Sequence, residues 1–190
     1  SSSWLSGLPL QRHGFQLHKA AFRDALCLRY GWQPSHLPTL CACGKAFDAD
    51  HAVSCPTGGY PSIRHNELRD ITACLLREVC HDVVTEPHLQ PLGADVLRGR
   101  CAVRGSDARL DIRAGGFWGS RFERAFFDVR VFSPNAPSNL TCSLPAVYRR
   151  HEQAKRRQYE ERVLQVEGGS FTPLVFSTSR SEEHTSELQS

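Results

Sequence analysis

The chain reads as an α/β protein, a mixed sheet flanked by helices, with a small module in front of it. Three observations carry this. Apolar residues recur at helical spacing over 62–80 and again over 146–168, which marks two long helices. Between them, Ala108 to Phe132 alternates as two strands around Gly115, Gly116 and Gly119, a β-hairpin with one aspartate in each strand, Asp111 and Asp128. Ahead of both, Cys41, Cys43, His51 and Cys55 put three thiols and one imidazole within fifteen residues. The order helix, strand, hairpin, helix, strand gives a mixed layer whose last strand–helix–strand portion calls for a right-handed crossover.

The hairpin strands are expected over 109–113 and 126–131. Alternation turns Leu110 and Ile112 to one side and Asp111 to the other; Phe127, Val129 and Val131 oppose Asp128 and Arg130. The two carboxylates can therefore meet. A carboxylate in so apolar a strand costs free energy unless it is paired, protonated or bound to a cation. Two hard oxygen ligands on adjacent strands suit Mg²⁺, with water and phosphate completing the shell. Pairing with Arg109, Arg113 or Arg130, or simple exposure at a strand edge, is the competing use.

The front module begins with a sharp reversal, for which Gly44 is suited, and continues into a short helix from Asp48 that sets His51 and Cys55 one turn apart. Three thiolates and an imidazole are a ligand set for tetrahedral Zn²⁺, and a loop this small needs the metal to order it. A Cys41–Cys55 disulfide is the alternative. Cys27, Cys74, Cys80, Cys101 and Cys142 lie singly elsewhere and nothing suggests secretion, so a disulfide framework is not expected.

Residues 4–17 read as an apolar connector, and 18–30 as an amphipathic helix closed by Gly31. In the helix that starts near Ser62, Leu68, Ile71, Leu75, Leu76 and Val79 form the stripe expected to be buried, and Glu67 stands at its border. A strand over 83–92, broken by Pro87 and Pro91, belongs at a sheet edge. In the second long helix Tyr148, Lys155, Tyr159, Val163 and Val166 share one stripe, with Arg149, Arg150, Arg156, Arg157 and Arg162 on other faces. Lys155 thus sits among inward residues, where it can snorkel or reach the aspartates. A buried strand is expected over 171–176.

The chain has 190 residues and a net charge of +3. Residues 180–190, RSEEHTSELQS, read as translated adapter sequence; without them 22 basic residues face 17 acidic ones, a net charge of +5. That is mildly basic, compatible with a nucleic-acid partner. No apolar run approaches the roughly 18 residues of a membrane span and no signal peptide opens the chain, so a soluble, unsecreted chain with no membrane partner is expected. With no methionine at all, it reads as a piece of something longer.

Together these residues resemble the restriction-like endonuclease region at the C-terminal end of non-LTR retrotransposon polyproteins, within the PD-(D/E)xK nuclease superfamily. The features that carry the resemblance run in order: the knuckle Cys41, Cys43, His51 and Cys55, the helix opening Arg64-His65-Asn66, the aspartates Asp111 and Asp128, and Lys155 with Tyr159 four residues on. The likeness covers about residues 36 to 177, and residues 4–32 look like the linker that follows a reverse transcriptase. It implies a restriction-endonuclease-like fold, Mg²⁺ or Mn²⁺ held by Asp111 and Asp128, Glu67 as the helix carboxylate, and Lys155 in place of the usual lysine. That lysine position is occupied by Arg130, which can clamp phosphate but cannot readily lose a proton. Leu110 stands where the motif has proline, and 16 residues separate the aspartates.

The implied activity is nicking of target DNA to leave a 3′-hydroxyl that primes reverse transcription, in the nucleus, with element RNA reached through the rest of the polyprotein. Arg64, His65, Arg149, Arg150, Arg156 and Arg157 are the expected nucleic-acid contacts. The implied organisation is a linker over 1–35, the zinc knuckle over 36–61, the nuclease domain over 62–179 and the tail over 180–190. A module that is zinc-stabilised and binds nucleic acid without cutting is the alternative.

Overall fold

The computed structural model describes residues 18–30, 32–92, 103–105, 107–120 and 122–178. The expectations for residues 4–17, for Gly31 and Cys101, and for the tail over 180–190 lie outside them. The chain divides into two compact units, Ser1–Thr57 and Gly58–Ser190.

In the first unit, helix α1 (Lys19–Arg29) opens on His18, whose Nδ1 accepts from Ala20 N at 3.3 Å. The chain then reverses through a Leu40–Ala46 bridge, with Gly44 at φ 83°, into α2 (Ala49–Ser54). Asp48 caps α2 by accepting from His51 N at 2.7 Å.

The second unit is built on a four-stranded sheet in the order β1-β2-β3-β4: β1 (His81–Thr85), β2 (Ile112–Gly115), β3 (Arg124–Phe132) and β4 (Ser170–Ser177). The first three strands are antiparallel neighbours, and β4 runs parallel to β3. Helix α3 (Tyr60–Val79) precedes β1, and α4 (Leu144–Arg162) connects β3 to β4. This is the mixed α/β layer the sequence predicts. Among the described residues no helix is long and apolar enough to cross a membrane.

Both faces of the sheet are covered, which is why Phe126 and Phe127, adjacent in β3, are both buried. Ala73 and Leu76 of α3 pack with Ile112, Ala114, Ala125 and Phe127. Leu89, Ala108, Leu110, Phe126, Val163 and Phe171 form the second cluster. Leu110 and Ile112 therefore belong to different clusters, against the shared side that strict alternation predicts. The reason is a bend at Asp111: β2 begins only at Ile112, and the preceding chain pairs with the segment after β1 through Glu86 N to Asp111 O and Leu110 N to Pro87 O.

The helix stripe also differs. Ile71, Leu75 and Val79, expected inward, are 58%, 59% and 78% exposed. The inward face of α3 is set by its small Ala73, which lets the helix approach the sheet, and by partners across it: Asp111 for His65 and Glu86 for Arg69.

The edge strand starts and ends earlier than the expected 83–92. A bulge between His81 and Val84 distorts its pairing, and the positive φ of Glu86 (50°) turns the chain before Pro87. At the other edge Pro173 sits mid-strand in β4, opposite Asp128.

Helix α4 begins with Pro145 in its first turn and ends in a π-helical turn (Val163–Glu167) closed by Gly168 at φ 63°. Arg162, expected on an outer face, is fully buried at this junction. Its Nη1 donates to Val103 O (2.8 Å) and Gly105 O (3.0 Å), and its Nη2 to Gln90 O (2.8 Å), carbonyls of irregular chain with no ladder to join.

Candidate functional site

The knuckle of the first unit gathers its four candidate ligands as the spacing predicts. The Sγ atoms of Cys41, Cys43 and Cys55 and a ring nitrogen of His51 all lie within 4.8 Å of one another. Cys41 Sγ and Cys55 Sγ are 3.8 Å apart, and Cys43 Sγ is 3.2 Å from His51 Nε2. A tetrahedron with Zn–S bonds of about 2.3 Å has S···S edges of about 3.8 Å, whereas a disulfide needs about 2.05 Å. The group fits zinc, and Cys41 and Cys55 are not bonded to each other. Every described cysteine is free.

Local hydrogen bonds hold this shape. Cys41 N donates to Lys45 O (2.8 Å) and Gly44 N to Cys41 O (2.9 Å), closing the turn that presents the first two sulfurs. Cys55 N donates to His51 O (2.8 Å), one helical turn that brings the last two ligands to one side. Of the four ligands only Cys55 is buried. A closed Cys₃His set leaves no position for a reacting group, so the chemistry such a site supplies is structural.

The second site lies where β2, β3, α3 and α4 meet. Asp111 stands at the bend before β2, and its Oδ2 accepts from Val129 N at 2.5 Å. Its Oδ1 is 3.1 Å from His65 Nε2 on α3. This contact holds the His65 imidazole above its ordinary value, against the opposing effect of burial. Asp128 alternates with Phe127 and so points to the sheet face that Phe126 shares with α4. Lys155 of α4 puts its Nζ 2.5 Å from Asp128 Oδ2 and 5.5 Å from the centre of the Tyr159 ring.

Asp128 is the most buried carboxylate among the described residues, 4% exposed. Burial raises its pKa; Lys155 pulls it back and the charge of Asp111 pushes it further up. Tyr159 is likewise pushed up to about 12 by burial, with the charges of Asp128 and Asp111 adding to it. Asp128 Oδ2 is buried, and its partner among the described residues is Lys155 Nζ. A buried carboxylate close enough to a second one to feel its charge suits a hard divalent cation. Asp111 and Asp128 are the residues that could hold it.

The expected site residues separate into two sets. Asp111, Asp128 and Lys155 come together, and His65, expected on DNA, joins them through Asp111. Glu67 is exposed and two positions further along α3, about 200° around the helix from His65. Arg130 is exposed on β3, two residues beyond Asp128.

Among the expected nucleic-acid contacts, Arg149 is exposed, whereas Arg150 donates to Asn139 Oδ1 and so braces the loop before α4. Arg156 pairs with Glu160 at 2.6 Å, and Arg157 Nε donates to Gln153 O at 3.3 Å. Arg64 lies over the Tyr60 ring at 5.8 Å. Sequence reasoning passed over His151, which stacks on Phe132 with ring centres 4.8 Å apart. One turn before Lys155, it could have been found from the period of α4 alone.

Comparison with known proteins finds no matching family model, no matching curated protein and no matching solved structure.

Proposed function

We propose that this chain is a metal-dependent DNA endonuclease of a retrotransposon-like element, of the restriction-like kind its motifs resemble. The observation that carries the reading is the convergence of Asp111, Asp128 and Lys155 from a strand bend, a strand and a helix, with the Asp128 carboxylate buried among them.

Asp111 and Asp128 would hold Mg²⁺ or Mn²⁺, which lowers the pKa of a bound water and neutralises charge on the phosphate. Val129 N and His65 fix the Asp111 carboxylate, so its orientation is set in advance. Lys155, held over Tyr159, offers a cation to the reacting phosphate from the opposite layer. Arg130 adds a fixed positive charge on the same strand as Asp128. Hydrolysis would leave a 3′-hydroxyl suited to priming reverse transcription, a role set in the nucleus, with element RNA as a further partner. Zinc in the knuckle would order the first unit, and contacts through Arg149, Arg156 and Arg157 would hold backbone phosphates without reading sequence.

The test is nicking of supercoiled plasmid with Mg²⁺ or Mn²⁺ by the wild-type chain and by Asp128→Ala. Metal-dependent nicking that disappears in the variant supports the reading. The exposed position of Glu67 and the arginine at 130 favour the second reading, a zinc-stabilised module that binds nucleic acid without cutting. Absent nicking in both proteins, with DNA binding retained, would select it.

A further inference from the structure

Beside the carboxylates, a pocket of about 180 Å³ is lined by Arg130, His151, Ala154, Lys155 and Gln158. Three of these five side chains are basic, and Arg150 adds its charge to the field at His151. Arg130 makes no ion pair among the described residues, and Lys155 is paired with Asp128. The positive charges of Arg130 and Arg150 beside this open space favour an anion in it.

His151 gives the pocket direction. Its ring is fixed against Phe132, at 4.8 Å and 25° between planes. Its Nε2 is buried and has no hydrogen-bond partner among the described residues. A buried polar atom left unpaired costs free energy, which a water, an ion or a ligand group relieves. Burial first, then the charges of Arg130 and Arg150, hold the imidazole below its ordinary value, so near neutral pH it meets a ligand as a hydrogen-bonding group rather than as a charge.

We propose that this pocket receives a non-reacting phosphate of a nucleic-acid backbone, gripped by the Arg130 guanidinium and by His151 Nε2, next to the phosphodiester held at Asp111 and Asp128. The assignment to nucleic acid rests on the nuclease reading; the phosphate chemistry of the pocket does not. Lys155 belongs to both places, since it lines the pocket and contacts Asp128. A strand engaged at both points would be fixed in position along its backbone with no base being read.

The test is an NMR titration of the full chain, without added Mg²⁺ or Mn²⁺, following the imidazole resonances of His151, assigned by their loss in His151→Phe. Two probes are used separately, inorganic phosphate and the dinucleotide thymidylyl-thymidine, which carries one phosphodiester and no terminal phosphate. Both should shift the His151 signals saturably, and Arg130→Met, a change at an exposed position, should remove the response. Shifts with inorganic phosphate alone would assign the pocket to a free anion and overturn the nucleic-acid part. No shift with either probe, or an unchanged response in Arg130→Met, would overturn the proposal even if the chain nicks DNA. A saturable response in a chain that cuts nothing would leave the pocket standing and remove the nuclease.

Discussion

The knuckle and the carboxylate site solve the same problem, holding polar groups close together, by opposite means. The knuckle has four candidate ligands in fifteen residues and almost no buried apolar chain around them, so a metal held there would supply its order. The carboxylate site draws His65, Asp111, Asp128 and Lys155 from across some ninety residues, and two apolar clusters hold the elements that carry them. One site makes its fold; the other is made by a fold.

The sharpest way to break the comparison is to remove zinc. Binding of structural zinc is worth on the order of 10 kcal/mol, far more than so small a loop can replace. Chelation should therefore abolish amide protection over 40–55 while β2 and β3 stay protected, as read by hydrogen exchange. Loss of protection in both would show that the sheet also depends on the metal.

The next effect belongs to Lys155. Replacing it with methionine leaves Asp128 buried without its cation and should cost about 3 kcal/mol in urea unfolding at neutral pH without divalent metal. The deficit should shrink in acid, because protonated Asp128 no longer needs a partner. Arg162→Met, which orphans the carbonyls of Gln90, Val103 and Gly105, should cost about 2 kcal/mol without that acid recovery.

The two histidines sharpen the contrast in opposite directions. His65 is raised above 6.5, so the stability it contributes is present below that pH and lost as pH rises through its folded value. His151 is lowered, so its contribution is full above 6.5 and lost as pH falls below it. On acidification from about pH 8 to about pH 5, His65→Gln should fall further behind the wild type and His151→Phe should gain on it, by thermal melting. The smallest effect is on binding: Arg149→Ala should make the salt dependence of DNA affinity shallower by about one ion.

How far the sequence reaches follows the same division. The knuckle was legible down to each ligand because its geometry is local: a turn, a helix cap and one helical turn fix it. The hairpin, its two aspartates and the inward phase of Lys155 were legible because strand and helix periods survive into the fold. What was not legible depends on distant partners. No period tells that Asp111 sits at a bend, so that Leu110 and Ile112 part company. Nothing in the α3 stripe reveals that His65 and Arg69 turn inward toward Asp111 and Glu86, leaving Ile71, Leu75 and Val79 outside. Arg162 reads as surface charge until the carbonyls that need it are placed around it.

The two edges of the sheet bear on how this protein behaves when crowded. An open strand edge is a template on which another chain can lengthen the sheet, and repeated lengthening is how fibrils begin. Here one border is kinked by the bulge between His81 and Val84, and the other is interrupted by Pro173. Straightening either border, most simply by Pro173→Val, should turn a sheet of fixed width into one that can recruit its neighbours.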